Sequence, residues 1–280
     1  MNRGLRPHPP TVRAPAVAGR FYPGDPRELA AMVDHDLAAG RTRRATMGSG
    51  RLIGVVAPHA GYVYSGPVAG AAYALLDAPV QQRVRRVLLL GPAHYVPVRG
   101  IALPSVAAFE TPLGELRVAD DLRTALALLP GVVVDDYPHE PEHSLEVQLP
   151  FLQRSLGEVE ILPGLVGSAD AALVAGVLAQ VWGDPKTLVV VSTDLSHYCD
   201  LATARRRDAG TAASVVALDD AAIADDDACG ARPLRGLLRQ ARRTSSVVEL
   251  VDLATSADSI GPPDRVVGYG AFAVREGVGP

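Results

Sequence analysis

Three apolar runs in this chain each end, within a few residues, in a histidine. They are Leu52-Ile53-Gly54-Val55-Val56-Ala57-Pro58-His59, Val87-Leu88-Leu89-Leu90-Gly91-Pro92-Ala93-His94 and Leu188-Val189-Val190-Val191-Ser192-Thr193-Asp194-Leu195-Ser196-His197. Each run has the length and the Val and Leu content of a strand buried on both faces. Ligands of open α/β sheets sit just beyond the carboxyl ends of such strands. Three parallel strands of this kind deliver three imidazoles to one edge of one sheet, where they can hold a metal or move a proton.

With 280 residues, 48% of them hydrophobic, the chain can bury a large core. The net charge of −4 gives no electrostatic reason for nucleic acid or an anionic membrane as a partner. Lys186 is the one lysine, so the basic charge is arginine. The short runs Arg43-Arg44 and Arg205-Arg206-Arg207 read as solvated surface, with a phosphate or peptide contact as the alternative. Two cysteines, Cys199 and Cys229, do not make a disulfide framework. Residues 1–10 lack the apolar core of a secretory signal, and no apolar stretch reaches the roughly 18 residues of a membrane span. The expected compartment is the cytoplasm.

Strand patterns alternate with helical ones along most of the chain, with no long linker. This predicts an N-terminal arm over 1–14 and one three-layer α/β/α domain over 15–280, its central sheet mixed but mostly parallel. Asp25-Pro26 opens a helix to about Leu37, and residues 40–50 read as a polar loop. Residues 61–67 read as a loop ahead of an Ala/Gly-rich helix over 68–76. Residues 109–117 form a turn or hairpin, and Asp120 to Leu129 a helix. Ser144 begins a helix that Pro150 kinks or divides. Val247 to Leu253 and Val266 to Val274 read as strands that can pair.

Of the seven histidines, His8 and His35 carry no chemical signal. His59, His94, His139, His143 and His197 lie in loops or at helix starts after strands. The run His139-Glu140-Pro141-Glu142-His143-Ser144 is dense in ligands and bases, but Pro141 rules out a zinc-protease helix. It either caps the following helix or orients a neighbouring site. In Asp194-Leu195-Ser196-His197 the carboxylate can orient the imidazole. No Gly-x-Ser-x-Gly elbow and no Gly-rich phosphate loop is present, which argues against a serine hydrolase and a nucleotide cofactor. Cys229 is either an inert thiol or a soft ligand for copper, iron or zinc.

The segments 15–23, Ala57-Pro58-His59-Ala60-Gly61-Tyr62, Gly91-Pro92-Ala93-His94-Tyr95, Glu142-His143-Ser144-Leu145-Glu146, residues 192–198, Cys229-Gly230-Ala231-Arg232-Pro233 and Val266-Val267-Gly268-Tyr269 follow one another in the order of the Memo family. The resemblance runs from about residue 14 to 274; prokaryotic members are called AmmeMemoRadiSam system protein B. The family resembles class III extradiol dioxygenases in fold, and its eukaryotic member is described as a metal-binding redox protein and a phosphotyrosine-peptide binder. The resemblance implies His59, His94 and Cys229 as ligands of iron or copper, with zinc as the variant. It places His197 as acid/base, with Asp194 and His143 lining the same pocket, and replaces the dioxygenases' carboxylate ligand by Cys229. It also implies radical-SAM and AMMECR-type partners. The expectation is therefore a mononuclear, dioxygenase-like redox protein. The competing readings are a peptide- or protein-binding module that docks an anion at Arg232, and a metal-assisted hydrolase with Asp194 or Glu142 as base. Glu142 and Asp194 are also the alternative third ligands.

Overall fold

Four adjacent strands of the central sheet expose almost nothing on either face. A computed structural model describes residues 12–42, 48 and 50–277. The first half comprises β1 (Val12–Arg13), α1 (Pro26–Thr42), β2 (Leu52–Ala57), α2 (Tyr62–Tyr73), α3 (Ala78–Arg83) and β3 (Arg86–Pro92). Then come β4 (Ile101–Leu103), β5 (Ala108–Thr111), β6 (Gly114–Arg117), α4 (Asp120–Leu126) and β7 (Val132–Val134). The second half comprises α5 (Leu149–Leu156), β8 (Glu160–Val166), α6 (Ala171–Ala179), β9 (Thr187–Ser192), β10 (His197–Cys199) and α7 (Leu201–Val216). α8 (Ala231–Arg243), β11 (Val247–Thr255) and β12 (Val266–Arg275) complete it.

The large sheet has the order β10-β12-β2-β9-β3-β8-β4-β7, with β11 also on β12. β2, β9, β3 and β8 are parallel, as are β4 and β7; β10, β11 and β12 add antiparallel strands at one end. Successive side chains point to opposite faces of a sheet. Every residue of β2 and β9 is buried, so both faces are covered and the domain is a three-layer α/β/α sandwich. Val87, Leu88, Leu89 and Leu90 have no exposed surface, and each contributes about 1.5–3 kcal/mol through burial. Pro163 is tolerated in β8 because β4 pairs only with Val166 and Leu165 beyond it.

α1, α2 and α5 pack together, as do α6 and α8. α1 and α2 cross at backbone distance: a Cβ built on Gly70 falls 2.5 Å from the Asp36 carbonyl oxygen. A smaller sheet, β1-β5-β6, confirms the expected hairpin and ties residues 12–13 to it through a parallel β1–β5 pair. Most of the arm expected over 1–14, and Arg43-Arg44, lie outside the described residues.

Several boundaries differ from expectation. Residues 62–67 are helical, not loop: α2 starts at Tyr62, whose amide donates to the Phe21 carbonyl, and it carries Pro67 internally. Pro150 does divide its helix, into a 3-10 turn (Glu146–Gln148) and α5. α4 stops at Leu126, ahead of Leu129. β10 and α3 carry no sequence period long enough to announce them. Among the described residues no helix is long and apolar enough to cross a membrane.

Asp36 is buried in the α1–α2 contact, and burial pushes its carboxyl from 3.8 up to about 6. The folded state therefore holds a proton that the unfolded chain releases, and stability falls as pH rises from about 4 to 6. Asp36→Asn is expected to stabilise the protein by about 2 kcal/mol at pH 7.5, discounted for partial solvation, and to be neutral near pH 4. Denaturant titrations at both pH values check this; equal effects at the two would remove the buried charge as the cause.

Candidate metal centre

The parallel register sets the ends of three strands level. Ala57 pairs with Ser192, and Leu90 with Val191. Each strand then turns into a loop at the same edge, and His59, His94 and Ser192 with the loop after it meet there.

His59 is buried and fixed from three directions. Its backbone amide donates to Asp194 Oδ1 at 2.8 Å, its Nδ1 lies 2.8 Å from Ser192 Oγ, and its Nε2 lies 3.3 Å from Cys229 Sγ. The Ser192 hydroxyl already gives its proton to the Ser144 carbonyl at 2.6 Å and accepts from Gln148 Nε2 at 2.8 Å. Ser192 therefore accepts from His59 Nδ1–H, and the Nε2 lone pair faces Cys229. Burial, then the nearby His94 and His143, hold the His59 imidazole well below its ordinary pKa, so it stays neutral as a ligand must.

His94 is oriented by Glu142. The two oxygens of this buried carboxylate accept the His94 amide at 2.6 Å and His94 Nδ1 at 2.9 Å. The same carboxylate takes the His143 and Ser144 amides, each at 2.9 Å. Burial alone raises the Glu142 carboxyl, but the adjacent His143 imidazole, 3.2 Å away, and the hydrogen bond from the His94 side chain prevail and hold it well below the usual carboxylate range. Glu142 is thus held as an ionised carboxylate, and its oxygens with His94 and His143 form a second group of donors within 4.8 Å of one another. It is the carboxylate that metal-bound imidazoles normally carry on their far nitrogen. Of the two roles open for this segment, Glu142 carries orientation; neither the 3-10 turn nor α5 has a side-chain cap.

Cys229 sits one residue before the Gly230 cap of α8. Its thiol accepts the Asp194 amide at 3.2 Å, and burial, then the Asp194 carboxylate, push it up to about 12. Donor atoms of His59, His94 and Cys229 all lie within 4.8 Å of one another. Metal–nitrogen and metal–sulfur bonds of about 2.1 and 2.3 Å, opened at 90–110°, place two donors about 3.1–3.6 Å apart. The 3.3 Å between His59 Nε2 and Cys229 Sγ fits one ion between them.

Asp194 is buried, and burial raises its carboxyl above the ordinary value. It does not orient His197 as its spacing suggested, because its Oδ1 is taken by the His59 amide. The His197 Nδ1 pairs instead with the Leu195 carbonyl at 2.8 Å, on the exposed strand β10. His143 stacks on His94 with ring centroids 4.7 Å apart and meets Phe21 at 4.7 Å. Arg232 is paired with Asp225 at 3.1 Å and lines a cavity with Arg235 and Arg239. His139 is structural: buried, with Nε2 donating to the Ala102 carbonyl, it falls to about 4 through burial.

Gln148 and Glu146 were not singled out from sequence as site residues. Their signal lay in Leu145-Glu146-Val147-Gln148-Leu149, where polar residues alternate with apolar ones and all five are buried.

The family model described as Memo-like protein matches residues 13–273. A MEMO1 family protein of Methanopyrus kandleri is 36% identical over 283 residues, covering 95% of this chain and 99% of that one. One from Pyrobaculum aerophilum is 34% identical, covering 93% and 98%. Among solved structures, an uncharacterized protein from Escherichia coli K12 has a TM-score of 0.41 at 13% identity, over 67% of this chain and 86% of that one.

Glu142→Gln keeps the shape and removes the charge behind His94. It is expected to weaken metal binding about 10–100-fold in a competition titration against a chromophoric chelator. An unchanged Kd would show that His94 needs no such support.

Proposed function

The chain belongs to the Memo family, and from that premise we propose that it is a mononuclear metal-binding redox protein, an oxidoreductase acting with O2. The observation that carries this reading is the convergence of His59, His94 and Cys229 donors within 4.8 Å. Two imidazoles and a thiolate are a soft donor set, suited to copper, iron or zinc, and the redox reading takes iron or copper. When bound, such an ion supplies a redox-active Lewis acid at the ends of β2 and β3.

The chain's own residues do the rest. Cys229 loses its thiol proton on becoming a ligand. Ser192 and Glu142 hold the Nδ1 sides of His59 and His94, which leaves both Nε2 atoms for the ion. His94 stays partly exposed, with 28% of its side chain accessible, so the centre is open to small reactants on that side. His197 donates Nδ1–H to the Leu195 carbonyl and keeps a free Nε2, as a general acid/base requires. His143 and Asp194 line the same pocket, His143 stacked over His94 and Asp194 fixing the His59 backbone. The radical-SAM and AMMECR-type partners and the cytoplasmic setting belong to this proposal through the family resemblance, and copurification from the native host checks them.

Elemental mass spectrometry after anaerobic purification tests the reading. Near-stoichiometric iron or copper is expected in the wild type, lost in His59→Ala and in Cys229→Ala. His197→Ala is expected to keep its metal while reductant-driven O2 uptake falls at least tenfold. A wild type that refuses iron and copper but takes zinc would move the assignment to metal-assisted hydrolysis. One that refuses all three would leave the binding-module reading.

A further inference from the structure

The first described residues wrap the loop that carries Glu142. Arg13 is buried, and its guanidinium makes three contacts with that loop and a fourth with Glu146 just beyond it. It donates Nε–H to the His139 carbonyl at 2.8 Å and Nη2–H to the carbonyls of Glu142 at 2.6 Å and Glu140 at 3.4 Å. Its Nη1 meets the Glu146 carboxylate at 2.5 Å. Glu146 has no exposed surface, and each of its oxygens takes a second bond from the same chain segment. One accepts the Ala16 amide at 2.7 Å; the other accepts the Val17 amide at 3.0 Å and the Tyr22 hydroxyl at 2.6 Å. Next along, Phe21 lays its ring on His143 and its carbonyl accepts the Tyr62 amide at the start of α2.

Resting on the metal reading above, we infer that residues 12–22 are a strap built into the metal centre, and that Arg13 is a positioning residue for His94. Arg13 grips the Glu142 backbone, the Glu142 carboxylate grips both the amide and Nδ1 of His94, and His94 thereby aims its other nitrogen at His59 and Cys229. Strap docking and metal binding are then one coupled equilibrium. By linkage, whatever the strap contributes to metal affinity, the metal returns to the strap as protection from opening. A strap that served only general stability has no such reciprocity.

The test is hydrogen exchange of residues 14–22 in the full-length protein, prepared anaerobically, with and without Co(II). The Ala16 and Val17 amides, which donate to Glu146, report the strap directly. Co(II) is expected to slow their exchange about fivefold to tenfold in the wild type and to leave it unchanged in His59→Ala, whose strap contacts are intact. In parallel, Arg13→Lys keeps a cation for Glu146 but loses the forked reach to three carbonyls. It is expected to raise the Co(II) Kd about fivefold to tenfold and to weaken the thiolate-to-Co(II) absorption band at subsaturating metal. Arg154→Ala, which breaks an exposed pair with Asp34, is expected to bind Co(II) as the wild type does. Co(II) binding with no change in strap exchange overturns the inference and leaves the metal reading intact, and so does a wild-type Kd in a folded Arg13→Lys. A wild type that takes up no Co(II), Fe(II) or Cu(I) overturns both.

Discussion

Parallel pairing of β9 between β2 and β3 is the constraint on which the candidate centre depends. Only parallel neighbours release their chains at the same edge, and only this order puts Ser192, the last residue of β9, between the loops of His59 and His94. The Ser192 hydroxyl then joins three separate segments, accepting from His59 and Gln148 and donating to the Ser144 carbonyl. A register slip of one residue in β9 would turn that hydroxyl to the other face of the sheet. The buried valines of β9 oppose such a slip less than the loops do, because both faces of the strand are equally apolar.

The sandwich and the meeting of His59 and His94 were legible in the sequence because long apolar runs declare buried parallel strands, and buried parallel strands imply a common edge. β2, β4 and β7 fall where the pattern put them. What stayed hidden depends on contacts between distant residues. α2 begins six residues earlier than expected because its first amide is satisfied by the Phe21 carbonyl, a partner no local pattern shows. β10 is three residues long, two of them exposed, and pairs with β12. Arg13 and Glu146 are 133 positions apart, and neither has a neighbour in sequence that announces the other. For Glu142 the sequence showed a carboxylate among histidines; its assignment to the far side of His94 needed coordinates.

The electrostatics of the centre are set for a cation. Burial favours the neutral forms of His59, Asp194 and Cys229. Glu142 alone is held firmly ionised, by the amides and imidazoles around it. A metal ion held by His59, His94 and Cys229 would reverse the preference of the thiol, because its charge would outweigh the desolvation that keeps it protonated. The thiolate also separates this centre from a two-histidine, one-carboxylate arrangement. As a ligand Cys229 would offer a softer and more oxidisable donor than a carboxylate.

A buried ion pair such as Arg13–Glu146 is poor evidence for stability, since desolvation offsets most of its attraction. Its worth lies in geometry. Glu146 takes four hydrogen bonds and Arg13 gives four, so neither charge is left short of partners. Removing one partner would strand the other, at a cost of about 3–5 kcal/mol. The pair therefore favours this docking of residues 12–22 against the Glu142 loop. That selection reaches His94 through two links, the Glu142 backbone carbonyl that Arg13 holds and the Glu142 carboxylate whose two oxygens hold the His94 amide and Nδ1.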